Sequence, residues 1–148
     1  MGADAKVYFA RLNKKGELEE TGSLDDIDRN YALFGWFADV RNYSGLTPIS
    51  ELGTLKSFKL TSYLKEELED WYCAIAPVKT ILETDYDAPI ENRRVTIRTG
   101  NIINGGGTCE PGHGEITTLR NLFGNQWFEI LESIDEADEY IIFAFDQT

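Results

Sequence analysis

The sequence Tyr-Ile-Ile-Phe-Ala-Phe occupies residues 140–145 and forms an unbroken apolar stretch of six residues. A membrane-spanning helix needs about 20 apolar residues, so this stretch is too short to cross a bilayer. Compact apolar runs of this length are typical of strands in the middle of a sheet, with other layers packed on both faces. We therefore expect residues 140–145 to form a central strand covered on both sides.

The remaining elements are predicted from their periodicity. Helical patterns mark three segments, residues 28–45, 62–72 and 117–134. Strand patterns mark three more, residues 6–12, 78–82 and 94–99. We expect the last two strands to pair as a hairpin, residues 100–114 to be irregular because they contain six glycines, and Gly124 to weaken the third helix. The sequence thus predicts one α+β domain over residues 1–148, with a mixed or antiparallel sheet packed against about three helices.

Charge and cysteine content narrow the classes of partner. Fourteen Lys and Arg residues stand against 26 Asp and Glu residues, which gives a formal net charge of -12. Such a field repels phosphate backbones and anionic lipid headgroups, so we expect no nonspecific nucleic-acid binding and no membrane binding. Two cysteines are too few for a disulfide framework, and the first residues lack a signal-peptide pattern. We expect a soluble, cytoplasmic protein with reduced thiols.

Two acidic runs, residues 17–28 and 129–139, contain no basic residue. Most runs of this kind are solvated faces of a folded domain. The alternative is a surface that mimics DNA or docks to a basic partner.

Polar side chains interrupt the segment at residues 28–45, which is otherwise apolar nearly all round. At 100° per residue, Asn30 and Arg41 share a stripe with aromatic residues. A helix of this composition is mostly buried, and its polar groups then need partners. In a structural interpretation, Arg41 pairs with Asp39 or another acid, and Asn30 and Asn42 bond to loop carbonyls.

In a functional interpretation, the same side chains line a ligand pocket. Arginine presents a planar fork to a phosphate or carboxylate, Tyr or Trp stacks on a ring, and Asn or Asp contacts base edges or sugar hydroxyls. The candidate ligand-binding residues of this segment are Arg29, Asn30, Tyr31, Trp36, Asp39, Arg41 and Asn42.

The most concentrated positive patch of the chain lies in the predicted strand at residues 94–99. Arg93, Arg94 and Arg98 are three of seven arginines, and Arg94 and Arg98 fall on the same face of that strand. The patch either neutralises acidic neighbours or binds a small anion. We include Arg94 and Arg98 among the candidate ligand-binding residues.

The remaining motifs do not form a catalytic or metal-binding pattern. Cys109, Glu110 and His113 lie close together, but structural zinc needs four ligands and the spacing matches no standard knuckle. The glycine triplet at residues 105–107 lacks the ending of a P-loop. We expect no cofactor and no metal. An enzyme with Asp39 as base and His113 as acid is a third, weaker hypothesis.

Two runs, RNYxLF from Arg29 and ADVRN from Ala38, resemble the signature of an uncharacterised family of phage and bacterial proteins. Further elements match in order, including Pro48-Ile49 and a terminal apolar strand that ends in Phe145-Asp146. The resemblance covers most of the chain and is tight over residues 29–42. This chain lacks the His-rich segment that such relatives often carry before the second helix. The resemblance implies a phage-type accessory context and a shared helix, and it carries no activity.

The leading hypothesis is a phage-type accessory protein that binds and sequesters a small nucleotide-like signalling molecule of host antiviral defence. A homo-oligomer, with a pocket between subunits, fits this function. The alternative is an acidic inhibitor or DNA mimic that binds a host defence protein through the acidic runs. Ionic strength distinguishes the two, because mimicry weakens steeply with salt and a dry pocket does not.

Overall fold

The computed structural model describes residues 3–99 and 102–147, and the side chains of residues 4–96 and 106–146. Its helices are α1 (Tyr31–Ala38), α2 (Ser62–Glu67), α3 (Val78–Glu83) and α4 (Leu119–Glu132), with a 3-10 turn at Thr54–Ser57. Its strands are β1 (Ala3–Leu12), β2 (Leu18–Ile27), β3 (Tyr72–Pro77), β4 (Ile90–Asn92), β5 (Arg94–Thr99), β6 (Ile102–Thr108), β7 (Glu115–Thr117) and β8 (Tyr140–Gln147). These elements confirm the predicted α+β class.

The main sheet has four antiparallel strands in the order β2-β1-β8-β3. Strand β8 lies in the interior of this sheet, and residues 141–145 are fully buried. Because β8 pairs along its length with β1 on one side and β3 on the other, its backbone groups are satisfied without water. The predicted central strand is therefore confirmed.

Alternate residues of β8 enter two separate hydrophobic layers. Ile141, Phe143 and Phe145 pack with α1 and α4 in the larger core, whereas Ile142 and Ala144 belong to a smaller core under α2 and the 3-10 turn. The larger core contains most of the aromatic residues. Its rings are in close contact, with centroids 4.5 Å apart for Phe37 and Phe143.

Helix α1 is shorter than the predicted segment at residues 28–45, and that prediction is wrong in both boundaries. Asn30 rather than Asp28 caps the helix, because the Asn30 side chain accepts the Leu33 N–H at 2.9 Å. The helix ends at Asp39, which adopts left-handed geometry with φ 58°. Val40, Tyr43 and Leu46 continue the apolar pattern past this point, so hydrophobic periodicity alone cannot locate the end.

Residues 39–46 turn back against α1 and use the space left by a glycine. A Cβ placed on Gly35 would lie 2.5 Å from Asn42 Oδ1 and 2.9 Å from the Asn42 Cα atom. Asn42 in turn accepts the Leu46 N–H at 3.0 Å and donates to the Leu46 carbonyl at 2.6 Å. The close packing of Asn42 on Gly35 therefore fixes the path of the chain after the helix.

Two further sequence predictions are wrong. Residues 78–82 form helix α3 rather than a strand: Val78 and Ile81 are buried at helical spacing, and the preceding Pro77 ends strand β3. The predicted helix at residues 62–72 stops at Glu67, and its last predicted residue, Tyr72, begins strand β3 instead. The β-branched composition of residues 78–82 favoured a strand, but the tertiary context overrides it.

The predicted hairpin between residues 78–82 and 94–99 is also not formed. Strand β5 pairs with β6, which lies in the glycine-rich stretch that the sequence predicted to be irregular. The turn residues at 13–16 predict a hairpin after the first strand, and β1 and β2 pair across that turn, although the polar outward face of β2 left its bounds unpredicted. Helix α4 was predicted, and its backbone departs from helical geometry at Gly124, as expected. In the described part of the chain, every helix is too short or too polar to span a membrane.

Replacing Gly35 with alanine tests the packing of Asn42 on α1. Helix propensity alone predicts a gain of about 1 kcal/mol for Gly35→Ala. The contact with Asn42 instead predicts a net loss of about 1 to 3 kcal/mol, measured by urea unfolding. An unchanged or higher stability would contradict the packing. A double-mutant cycle with Asn42→Ala should be non-additive, because both changes act on one contact.

Stability at alkaline pH tests the burial of two titratable groups. Burial raises the pKa of the Cys73 thiol from 9.0 to about 11 and that of the Tyr86 hydroxyl from 10.0 to about 12. The folded state favours the neutral form of both groups. Their contribution to the free energy of unfolding is therefore complete below pH 9 and is lost as the pH rises from 9 to 12. Each group contributes about 2 to 3 kcal/mol at most.

The measurement is urea unfolding at a series of pH values. Cys73→Ala should flatten the decline that begins near pH 9, and Tyr86→Phe should flatten the part above pH 10. If the free energy of unfolding falls with pH equally steeply in the wild type and in both variants, these two groups do not cause the pH dependence.

Candidate functional site

Two arginines and two tyrosines meet beside α1. The guanidinium carbons of Arg41 and Arg94 lie 5.8 and 5.7 Å from the centroid of the Tyr31 ring. Arg94 also lies 5.8 Å from the Tyr43 ring, and the two tyrosine rings meet edge to face at 6.1 Å. We call Tyr31, Arg41, Tyr43 and Arg94 the arginine–tyrosine cluster.

The turn after α1 brings these residues together. Arg41 adopts a left-handed conformation with φ 48°, and the Tyr43 N–H bonds to the Arg41 carbonyl at 2.8 Å. The strand pair β5–β6 is attached to the same turn. The Arg93 N–H donates to the Ser44 carbonyl at 2.9 Å, and the Thr108 hydroxyl donates to the Tyr43 carbonyl at 2.8 Å. These bonds place Arg94 beside tyrosines more than 50 residues away.

The charges of the cluster are not neutralised within the part of the chain that the structure describes. The ion pairs there involve Arg11, Arg29 and Arg120, and neither Arg41 nor Arg94 lies within 4.0 Å of a carboxylate oxygen. Arg94 is exposed, whereas Arg41 is half-buried. In a chain with a net charge of -12, two such guanidiniums beside aromatic rings form a surface suited to an anion.

Three candidate residues have structural roles. Asn30 caps α1 and donates to the carbonyls of Leu122 and Phe123 at 2.9 and 3.0 Å. Asn42 donates to the Asp39 carboxylate at 3.0 Å in addition to holding the turn. The predicted bond to a loop carbonyl is found for Asn42, which donates to Leu46, whereas the carbonyls that Asn30 contacts belong to α4. The Asp39 carboxylate accepts from Asn42, and no pairing of Arg41 with an acid is found among the described side chains.

The other candidates lie apart from the cluster. Arg29 forms an exposed ion pair with Asp4 at 2.8 Å, and the hydrogen bond to Asp4 raises the pKa of Arg29. Trp36 is 4% exposed and packs on Phe123 and Trp127 in the larger core. The backbone of Arg98 belongs to β5, but its side chain lies outside the described residues.

Trp36 also lines a small cleft of about 400 Å³. Arg93 lines the same cleft, and its Nε donates to the Cys109 carbonyl at 2.8 Å. Arg93 thus supports the loop at residues 109–114 and does not belong to the arginine–tyrosine cluster. Glu91 holds that loop as well, because its carboxylate accepts the N–H groups of Gly112 and Gly114.

The loop at residues 109–114 does not assemble a metal site. Within the described residues, no three His, Cys, Asp or Glu side chains converge in a way that could hold a metal ion. The hydrogen bonds from backbone N–H groups of the loop to the Glu91 carboxylate account for the shape of the loop.

The two acidic runs lie side by side in the structure. The Thr21 hydroxyl of β2 hydrogen-bonds to the Asp138 carboxylate, which belongs to the run before β8. Glu139 accepts the Leu12 N–H at 2.9 Å at the end of β1. The contact between Thr21 and Asp138 thus brings the second acidic run against β2, which carries most of the first.

Tyr43 is the member of the cluster that the sequence analysis missed. A signal was present, since Arg-Asn-Tyr occurs at residues 29–31 and again at residues 41–43. The tyrosines of the two copies meet, and each asparagine bonds to backbone groups, Asn30 to the first turn of α1 and Asn42 to Leu46 in the turn after it. The treatment of residues 28–45 as one helix did not single out Tyr43, because the reversal of the chain after Ala38 was not predicted.

Replacing Arg41 with glycine separates a binding role from a folding role. The left-handed backbone at position 41 costs an arginine about 1 kcal/mol, and glycine adopts it without this cost. The contact with Tyr31 that the substitution removes is worth a similar amount. We expect Arg41→Gly to unfold within about 1 kcal/mol of the wild type in urea. Arg41→Ala keeps the backbone cost and should be the less stable variant. A loss above about 3 kcal/mol in Arg41→Gly would instead identify a buried ionic network.

No protein-family model matches the chain, and comparisons with curated proteins and with solved structures likewise give no match.

Proposed function

We propose that this protein binds and sequesters a small nucleotide-derived signalling molecule without changing it chemically. In this proposal it is a phage-type accessory protein that acts in the host cytoplasm against antiviral defence. The observation that supports the proposal is the arginine–tyrosine cluster, in which two guanidiniums without acidic partners flank two aromatic rings.

The chemistry of the cluster matches the two parts of a nucleotide. A guanidinium binds phosphate oxygens through two parallel N–H groups, and a tyrosine ring offers a face or an edge to a base. Arg94 is exposed and can reach a ligand without rearrangement of the core. Gly106 contributes no side chain beside the Arg94 guanidinium, and a Cβ there would lie 3.6 Å from Arg94 Nε.

The cluster favours binding over catalysis. A guanidinium holds its proton at all ordinary pH values, so it stabilises charge but does not act as a base. Asp39, the base of the enzyme hypothesis, caps the end of α1 and accepts a hydrogen bond from Asn42. Because the cluster is open on its outer side, our proposal includes a homo-oligomer in which a second copy closes the pocket.

The test is a thermal-shift screen against cyclic di- and trinucleotides and ADP-ribose derivatives. A ligand at 100 times its Kd adds about 2.7 kcal/mol of stability, which is a readily measured shift. Arg41→Gly and Arg94→Gln should abolish most of that shift. Arg120→Gln is the matched control, since Arg120 is also an exposed arginine but pairs with Asp87 away from the cluster.

Chromatography of the compound released by heating completes the test. Release of the unaltered nucleotide supports sequestration, and a converted product would identify an enzyme. A shift that Arg120→Gln loses as fully as Arg94→Gln would overturn the assignment of the site. No shift with any compound would overturn the proposed function.

A second candidate function is an acidic inhibitor or DNA mimic that binds a host protein. The observation that favours it is the contact between Thr21 and Asp138, which brings the two acidic runs together. The test is competition with DNA for a basic DNA-binding protein at increasing salt. Binding that weakens steeply with ionic strength and is unaffected by Arg94→Gln would favour this function over sequestration.

A further inference from the structure

The two guanidiniums of the arginine–tyrosine cluster lie against one shared ring. The guanidinium carbons of Arg41 and Arg94 are 5.8 and 5.7 Å from the centroid of Tyr31. The two carbons are therefore at most about 11.5 Å apart, which is the sum of these two distances. This limit restricts the size of an anionic group that can contact both arginines at once.

The surrounding chain holds the two arginines in this arrangement. Arg41 belongs to the turn after α1, where its backbone is left-handed with φ 48°. The Arg94 side chain extends from β5 across β6, and its Nη2 lies 3.9 Å from the position of a Cβ on Gly106. The same guanidinium lies 5.8 Å from the Tyr43 ring. The short separation of the two arginines is thus a property of the folded chain.

The cluster holds two positive charges that nearby acids do not neutralise. Asp39 is the acid closest to Arg41 in sequence, and its carboxylate accepts a hydrogen bond from Asn42 at 3.0 Å. Among the described side chains, neither Arg41 nor Arg94 has a carboxylate oxygen within 4.0 Å. Two like charges at this separation repel each other. A ligand with two negative charges relieves this repulsion more completely than a ligand with one.

A diphosphate has the charge and the length that this arrangement requires. A guanidinium carbon lies about 4 Å from the phosphorus of a phosphate that it binds through two N–H groups, and the phosphorus atoms of a diphosphate are about 3 Å apart. Two guanidiniums at opposite ends of a diphosphate are therefore about 11 Å apart. Anionic groups that are separated by a longer spacer exceed the limit set by Tyr31.

We propose that the ligand of the arginine–tyrosine cluster carries a diphosphate, with one phosphate on Arg41 and the other on Arg94. Nucleoside diphosphate derivatives meet this requirement, because their two phosphates are joined directly. In cyclic dinucleotides, sugars separate the phosphates. This specificity rests on the proposed function, since it names the class of nucleotide that the protein sequesters.

The test is isothermal titration calorimetry with inorganic pyrophosphate at constant ionic strength and without divalent cations. Pyrophosphate should bind with one site per chain. Inorganic phosphate and dimethyl phosphate should bind at least about tenfold more weakly, equivalent to about 1.4 kcal/mol, because they provide a single phosphate. Hexane-1,6-bisphosphonate carries two phosphonates on a long spacer, and we expect it to show the same loss.

Arginine variants locate the contact. In Arg41→Gly and in Arg94→Gln, the preference for pyrophosphate over phosphate should disappear, because only one guanidinium remains. A loss of selectivity is a result that a purely structural role for either arginine does not produce. Arg120→Gln is the matched control and should keep the preference, since Arg120 is an exposed arginine that pairs with Asp87.

Three results would overturn the assignment of a diphosphate. One is equal affinity for phosphate and pyrophosphate, and another is equally tight binding of hexane-1,6-bisphosphonate. The third is a preference for pyrophosphate that Arg94→Gln retains or that Arg120→Gln loses.

The outcomes also separate this inference from the proposed function. Selective binding of pyrophosphate, together with no thermal shift from any nucleotide, would support the diphosphate site and overturn sequestration of a nucleotide. A thermal shift with cyclic dinucleotides and none with ADP-ribose derivatives would support sequestration and overturn the diphosphate site.

Discussion

The burial of β8 on both faces and along both edges is the constraint on which the rest of the structure depends. A strand with five consecutive fully buried residues is stable only if its neighbours satisfy every backbone group and two layers exclude water. Strands β1 and β3 provide the first condition. The aromatic layer under α1 and α4 and the smaller layer under α2 provide the second.

The two layers differ in how they are made. On one face, interlocking rings of α1, α4 and β8 form a densely packed core, and the asparagine cap of α1 bonds across to α4 at Leu122 and Phe123. On the other face, short elements cover the sheet incompletely, and hydrogen bonds from Ser50, Gly53 and Thr54 to β3 take the place of a longer helix. This difference leaves an open groove between the 3-10 turn and α2, because the six residues of α2 cannot cover a four-stranded sheet.

The arginine–tyrosine cluster follows from the end of α1. Since Gly35 leaves room for Asn42, the chain turns back at Asp39 and does not continue as a helix. The turn exposes backbone groups at Tyr43 and Ser44 that bind the β5–β6 pair. One close contact within residues 35–42 thereby determines which arginine of a distant strand meets Tyr31. The left-handed backbone at Arg41 is part of the same turn.

The sequence by itself determined the features that depend on local composition and periodicity. These include the central strand at residues 140–145, the α+β class, helix α4 with its irregularity at Gly124, and the bonding of Asn30 and Asn42 to backbone groups. Each depends on hydrophobic pattern or on the need of a buried amide for partners. The candidates Tyr31, Arg41 and Arg94 were also identified from residue type.

Only the tertiary structure decided which of these side chains meet and where elements end. Residues 78–82 are a helix because Pro77 ends β3 and because burial selects Val78 and Ile81, although their composition favours a strand. Trp36 lies in the core, where it packs on Trp127 of α4. Tyr43 lies in the cluster because α1 stops at Ala38 and the chain reverses. Contacts between residues distant in sequence depend on the packing of whole elements, and no local pattern in the chain encodes that packing.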